Sequence, residues 1–349
     1  MHDRQLLSML LSTDTNPADP RETLSFDEQQ FIETFNLLLQ FRDSVTIPFI
    51  QMRPLIGYYA NGQITIAPGL SIERMSDEDI IEALTWGVLP TDLNQYRQFE
   101  PKPGVTHALK RRYSLPRVVL HQYPVDIGGN EHGQYSGDGE EVAQSLTILA
   151  RGRIIVGPTF LSSPLGWPYG IHSILQPTSI PDDPRGDRDM HVPAGAEQSL
   201  RTIWEALRIG SKAFKLAARR FNTAQLRGFV EDNFLDDMIA AEALLIEPHS
   251  RQKSKTLALN AAYYLGGASQ PERRLVFELF RNAYRVRSAT VHGEEPKAAD
   301  MEMNGVPMSF IQFKDAVEDR LRSVFQKMVN QNQTAAAIDW RPITLGTEP

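Results

Sequence analysis

The feature that most constrains this 349-residue chain is a series of apolar residues at helical spacing, renewed element after element from about residue 196 to about 331. Leu200, Ile203, Trp204, Leu207, Phe214 and Phe221 keep a helical period, and Leu235, Met238, Ile239 and Leu245 repeat it in the next element. A third helix is predicted over about 254–265, stopped by Gly266-Gly267. Ser269 with Pro271 and Glu272 opens a fourth, whose apolar face is Val276, Leu279, Phe280 and Ala283 and whose stop is Gly293. A fifth covers about 308–330. Short joints between amphipathic helices favour antiparallel neighbours, so residues 196–331 are predicted to form an all-α helical bundle.

Residues 1–195 lack that regularity and are predicted to be a mixed α/β domain, giving an α+β N-terminal domain followed by an all-α bundle and a tail at 332–349. Ser25 and Glu28 open a helix over about 26–42 with Phe31, Ile32, Phe35, Leu38 and Leu39 on one face. From Thr46 to Ile72, prolines and the Asn61-Gly62 turn break helices, and Gln63-Ile64-Thr65-Ile66 alternates as a strand does. Ser76 and Asp79 open a short helix to Trp86, while Val118–Leu120, Ser145–Leu149 and Arg153–Val156 are predicted strands. Residues 157–195, rich in proline and glycine, read as loop, and the domain boundary is placed near 195.

The chain has no cysteine, which excludes disulfides, thiolate metal sites and a cysteine nucleophile and suits a reducing, cytoplasmic home. The apolar run Leu6–Leu11 is too short for a secretory or membrane segment, so no membrane role is expected. Net charge is −7, placed unevenly. Residues 1–195 carry 15 basic against 24 acidic side chains, and residues 196–331 carry 20 against 17. A basic pocket in the second half would attract a phosphate, whereas smooth coating of nucleic acid is disfavoured.

Two ionisable residues stand where apolar ones belong. Glu242 lies seven residues after Leu235 and three before Leu245, and Arg287 lies seven after Phe280 and four after Ala283. Burying either charge alone costs several kcal/mol, so the two are expected to pair across the bundle. His292 closes the same helix as Arg287. Such a trio suits phosphodiester cleavage, with Arg neutralising phosphorane charge and His moving a proton. By spacing alone, a structural ion pair and a helix-terminating His account for the same residues.

The segment from Arg219-Arg220-Phe221, through Ala241-Glu242-Ala243-Leu244, to Arg287 with four residues before His292-Gly293 resembles the ApeA-like HEPN domain family. The likeness covers about 196–331. It implies a metal-independent endoribonuclease without cofactor, working as a homodimer with Arg and His of both protomers in one cleft, in phage defence or as a toxin. By that resemblance His292 assists attack of a ribose 2′-hydroxyl on the adjacent phosphate, Arg287 stabilises the charge that builds, and Glu242 holds Arg287. Arg285, Arg281 and Ser288 would contact RNA, a tRNA or another structured or single-stranded RNA. A phage-derived or nucleotide trigger would act at the N-terminal domain. Where relatives carry arginines in the third helix this chain has Thr256 and Asn260, which weakens the expectation of a basic contribution from that helix. A non-catalytic HEPN dimerisation, RNA-binding or scaffold module is the alternative.

Other candidates are weaker. Gly128, Gly129, Gly133, Gly137 and Gly139 lack the Gly-Lys-Ser/Thr of a phosphate loop and read as a hairpin loop with no helix start. Asp182, Asp183, Asp187, Asp189 and His191 lack calcium-loop spacing and read as a solvated loop. His121 with Asp126, and His172 near Trp167 and Tyr169, form no recognisable catalytic pattern. No serine elbow, zinc pattern or dinucleotide fingerprint is present, and no metal site is expected.

Overall fold

The structure, a computed structural model, describes residues 28–77, 79–80, 106–116, 137–157, 159–162, 189–247, 250, 252–267, 269–303, 305–335 and 338–340. In chain order its first elements are α1 (Glu28–Asp43), β1 (Thr46–Ile56), β2 (Tyr58–Tyr59), β3 (Ile64–Ala67), β4 (Leu70–Arg74), β5 (His107–Pro116), α2 (Asp138–Leu149), β6 (Ile155–Val156), β7 (Phe160–Ser162) and β8 (Met190–His191). Then come α3 (Glu197–Ile209), α4 (Lys212–Leu226), α5 (Val230–Leu245), α6 (Lys253–Gly266), α7 (Gln270–Val291), the short strands β9 (Glu302–Met303) and β10 (Val306–Pro307), and α8 (Phe310–Asn330). The chain thus mixes helices with antiparallel sheet.

It divides into two compact units. The first comprises Met1–Pro54, Gln63–Gly137 and Gly157–Thr178, and the second Leu55–Gly62, Asp138–Val156 and Ser179–Pro349. These limits do not follow the boundary drawn near 195, because the second unit also takes two earlier pieces of chain. Residues 332–340 are also more than a tail: Trp340 is 5 % exposed and its ring lies edge-on to Tyr264, 5.7 Å away.

In the first unit the strands run in the order β3-β4-β5-β1, with β7 also paired to β1. The β3/β4, β4/β5 and β1/β7 pairs are antiparallel, with Ile64 opposite Ile72 and Ile72 opposite Leu109. These apolar partners lie on one face with Ile66 and Leu70, all buried. Strand β5 is not visible in the hydrophobic pattern because Lys110, Arg111 and Arg112 interrupt it. Lys110 Nζ is 2.6 Å from Asp79 Oδ2, Arg112 holds Glu73 through two hydrogen bonds of 2.5 and 2.7 Å, and Arg111 Nη1 donates to Pro68 O at 3.1 Å. The predicted strand at 118–120 lies outside the described residues. Ser76 and Asp79 exchange the two expected bonds, 2.8 and 3.2 Å.

The second unit contains the helices α2 to α8 around one apolar core. Phe325 meets Phe214 and Phe221 at ring distances of 5.6 and 5.3 Å, and Phe313 and Phe310 close on Phe234. The strongest correction to the sequence pattern is α2. Residues 145–149, predicted as a strand, are helical, and the helix begins inside the glycine stretch at Asp138. Every side of α2 from Val142 to Ile148 is buried, which erases the amphipathic period. Two of its polar residues find partners: Ser145 Oγ donates to Glu141 O at 2.7 Å, and Thr147 Oγ1 lies 2.8 Å from Asn222 Oδ1 of α4.

The apolar series from Leu200 to Phe221 belongs to two helices, not one. Gly210 leaves the helical conformation and Ser211 caps α4, accepting from Phe214 N at 3.2 Å. A Cβ at Gly210 would stand 2.7 Å from Ala206 O, so the break is built on glycine. Ser269 caps α7 as its place in the sequence predicts, and α8 opens on a reciprocal Ser309/Gln312 capping box.

Candidate functional site

Helix α7 carries most of the site. Ser269 accepts from Glu272 N at its start, Pro271 occupies the first turn, and the helix ends in a Schellman motif. There Gly293 has φ +70°, its N–H reaches Thr290 O at 3.1 Å, and Glu294 N reaches Ala289 O at 2.9 Å. His292 is the C-cap residue and its side chain is exposed. The expected terminator therefore fixes where the imidazole leaves the helix.

Arg287 and Glu242 meet between α7 and α5, with Nε 3.5 Å from Oε1. They are more open than the apolar-stripe spacing predicts: the side chains are 29 % and 19 % exposed. Glu242 Oε1 itself is buried and makes no hydrogen bond, so the contact is chiefly one of charge. The Tyr284 ring supports the cation, with the guanidinium carbon 5.8 Å from its centroid.

Arg281, Arg285, Ser288 and His292 recur at intervals of four, three and four and therefore follow one face of α7. Arg285 is exposed and its Nη1 lies 3.3 Å from Asp300 Oδ1. Arg281 stacks on Phe277 at 5.6 Å, and its Nε is buried without a hydrogen-bond partner. Ser288 is half-buried, and its carbonyl accepts from His292 N at 3.2 Å.

A cavity of about 750 Å³ opens beside this face, lined among others by Lys253, Lys255, Arg281, Arg285, Phe277 and Tyr284. Lys253 and Lys255 belong to the first turn of α6, whose N-cap Gln252 makes no side-chain cap. The third helix of the predicted bundle thus contributes cations after all, although not at Thr256 or Asn260. The signal was legible: two lysines in a helix's first turn oppose its dipole, an arrangement that stability alone disfavours.

A second charged cluster holds the bundle together. Asp236 takes Arg220 at 2.9 Å and Arg227 at 3.0 Å, while Glu318 is gripped by Lys314 and by Arg322 Nη2 at 2.7 Å. Burial alone would raise the Glu318 carboxyl, but the charges and hydrogen bonds of Lys314 and Arg322 outweigh it and bring it down to about 2. Asp237, fully buried with neither oxygen hydrogen-bonded, is pushed well above the carboxylate range, first by desolvation. Glu318 and Asp236 push it the same way, and Lys314 and Arg322 oppose them.

Among the described residues no group of three or more His, Asp or Glu is placed to hold a metal. Asp189 bridges the backbone of Arg153, and His191 stacks on Tyr59 with ring centroids 5.1 Å apart. Asp182, Asp183, Asp187, Gly128, Gly129, Gly133, His121, Asp126, His172, Trp167 and Tyr169 lie outside the described residues. No described helix is long and apolar enough to cross a membrane. No family model, curated protein or solved structure matches the chain. Its function is therefore read from its own chemistry.

Proposed function

We propose that this chain is a metal-independent endoribonuclease of the HEPN type, acting as a cytoplasmic homodimer in antiviral defence or as a toxin. The observation that carries the reading is Arg287, held by Glu242 and Tyr284, on the same helix as the exposed imidazole of His292 and beside a cavity lined by cations. His292 removes the proton of a ribose 2′-hydroxyl, and that oxygen attacks the adjacent phosphorus. Arg287 offsets the charge on the phosphorane. The bond to the 5′-oxygen then breaks, that oxygen is protonated by the partner's His292, and the products are a 2′,3′-cyclic phosphate and a 5′-hydroxyl. Because the attacking group is the 2′-hydroxyl, RNA is cut and DNA spared.

Purified protein is expected to cut RNA in EDTA, and His292→Ala and Arg287→Ala each to lose at least ~100-fold. Equal cutting by all three proteins, or a strict need for magnesium, would overturn the mechanism. The second reading, a non-catalytic HEPN dimerisation, RNA-binding or scaffold module, is favoured by His292 serving as the C-cap of α7. It predicts RNA binding or dimerisation with no cleavage.

A further inference from the structure

We infer that the cavity between the first turn of α6 and the middle of α7 binds single-stranded RNA away from the scissile phosphate. Lys253 and Lys255 hold a backbone phosphate there, and Phe277 and Tyr284 receive an unpaired base. The inference deepens the ribonuclease reading and rests on it only for the substrate class.

The ligand is anionic. Four cationic side chains, Lys253, Lys255, Arg281 and Arg285, line one opening of about 750 Å³, and only Arg285 has a carboxylate partner among the described residues. Arg281 Nε is buried without a hydrogen-bond partner, a donor left for an acceptor from outside the chain. The first turn of α6 adds backbone N–H groups that no side chain of Gln252 caps.

The ligand also has a flat apolar part. Phe277 and Tyr284 share the cavity wall with the cations, and aromatic surface beside phosphate-binding lysines is what an unstacked base requires. A duplex keeps its bases stacked on each other and leaves no base face free, so the rings select single strands. Tyr284 links this cavity to the reaction, because the same ring packs against Arg287 at 5.8 Å. A base bound there would steady the cation that meets the scissile phosphate.

The test uses the full chain carrying His292→Ala, so that RNA survives, and a fluorescein-labelled twelve-nucleotide oligouridine read by anisotropy across a salt series. Lys253→Ala with Lys255→Ala is expected to raise Kd at least tenfold and to flatten the salt dependence by about 0.7, the share of one single-strand phosphate contact. Tyr284→Leu is expected to raise Kd roughly tenfold at constant salt dependence, the loss of one stacked base. Thermal melting verifies folding, and Lys212→Ala with Arg219→Ala, two exposed cations on α4, removes equal charge elsewhere. Unchanged Kd in both cavity variants, or an equal loss in the α4 control, overturns the site. So does equally tight, equally sensitive binding of duplex RNA, or complete displacement by uridine monophosphate at the oligomer's own affinity, which would mark a free-nucleotide pocket. Failure of the parent reading looks different: the chain with His292 intact would leave RNA uncut while Kd still depended on Lys253, Lys255 and Tyr284.

Discussion

Arg322 donates through Nε to the carbonyl oxygen of Thr147 at 3.1 Å, joining α8 to a helix 175 residues earlier in the chain. The same guanidinium binds Glu318 and lies 5.3 Å from the centre of the Phe221 ring, so one buried cation ties three helices. Arg322→Ala is expected to cost ~3–5 kcal/mol in urea unfolding, the usual effect of removing one partner from a buried ion pair. An unchanged midpoint would show that Lys314 alone satisfies Glu318.

The Glu242–Arg287 pair is expected to be weaker than that. Full burial would give a loss of several kcal/mol, but side chains 19 % and 29 % exposed at 3.5 Å belong between the buried and surface classes. Glu242→Ala is therefore expected to cost ~1–2 kcal/mol and to lower RNA cleavage. A double-mutant cycle with Arg287→Ala measures the coupling, and a coupling of zero would separate the two residues.

Two buried carboxyls give opposite pH slopes. Glu318 has a folded pKa of about 2 against a reference of 4.5, so its contribution is fully present above the unfolded pKa and is lost as pH falls through the folded value. Asp237 is raised above its reference of 3.8, so the folded state binds the extra proton and stability falls as pH rises from that reference toward the folded pKa. Glu318→Gln is expected to flatten the acid-side loss, and Asp237→Asn to gain on the parent as pH rises. Chemical unfolding across pH measures both, and parallel curves for Asp237→Asn and parent would refute the assignment for Asp237.

A chain begun at residue 196 lacks α2 and with it Ile148 of the bundle core, the Thr147 bond to Asn222 and the carbonyls that take Arg322 and Gln326. It is expected to lose cooperative thermal unfolding. A sharp transition matching the full chain by calorimetry would show that α2 is dispensable.

The legible parts of the fold were those with one wet and one dry face. Helices α6 and α7 announce themselves through Gly266-Gly267 and Ser269-Pro271, because caps and stops are local chemistry. Helix α2 did not, since burial on all sides left no period, and β5 did not, since Lys110 and Arg112 find their carboxylates, Asp79 and Glu73, elsewhere in the chain. The same division holds at the site. Glu242 and Arg287 were found as charges on apolar stripes, while the cavity needed the fold to bring Lys253 and Lys255 to Phe277 and Tyr284.

The second unit is stitched from three separated stretches of chain, which fixes a sequence of events during synthesis. Helix α2 meets its partners in order of synthesis: Asn222, which takes the Thr147 hydroxyl, follows 75 residues later, whereas Arg322, which takes the Thr147 carbonyl, is 175 positions away. At ~5–20 residues per second, roughly ten to thirty-five seconds separate Thr147 from Arg322, and α3 and α4 are made in between. Until α8 arrives the bundle is incomplete, so a nascent chain cannot hold Arg287 and His292 in a finished scaffold, and the proposed cleavage would begin only after translation has passed Asn330.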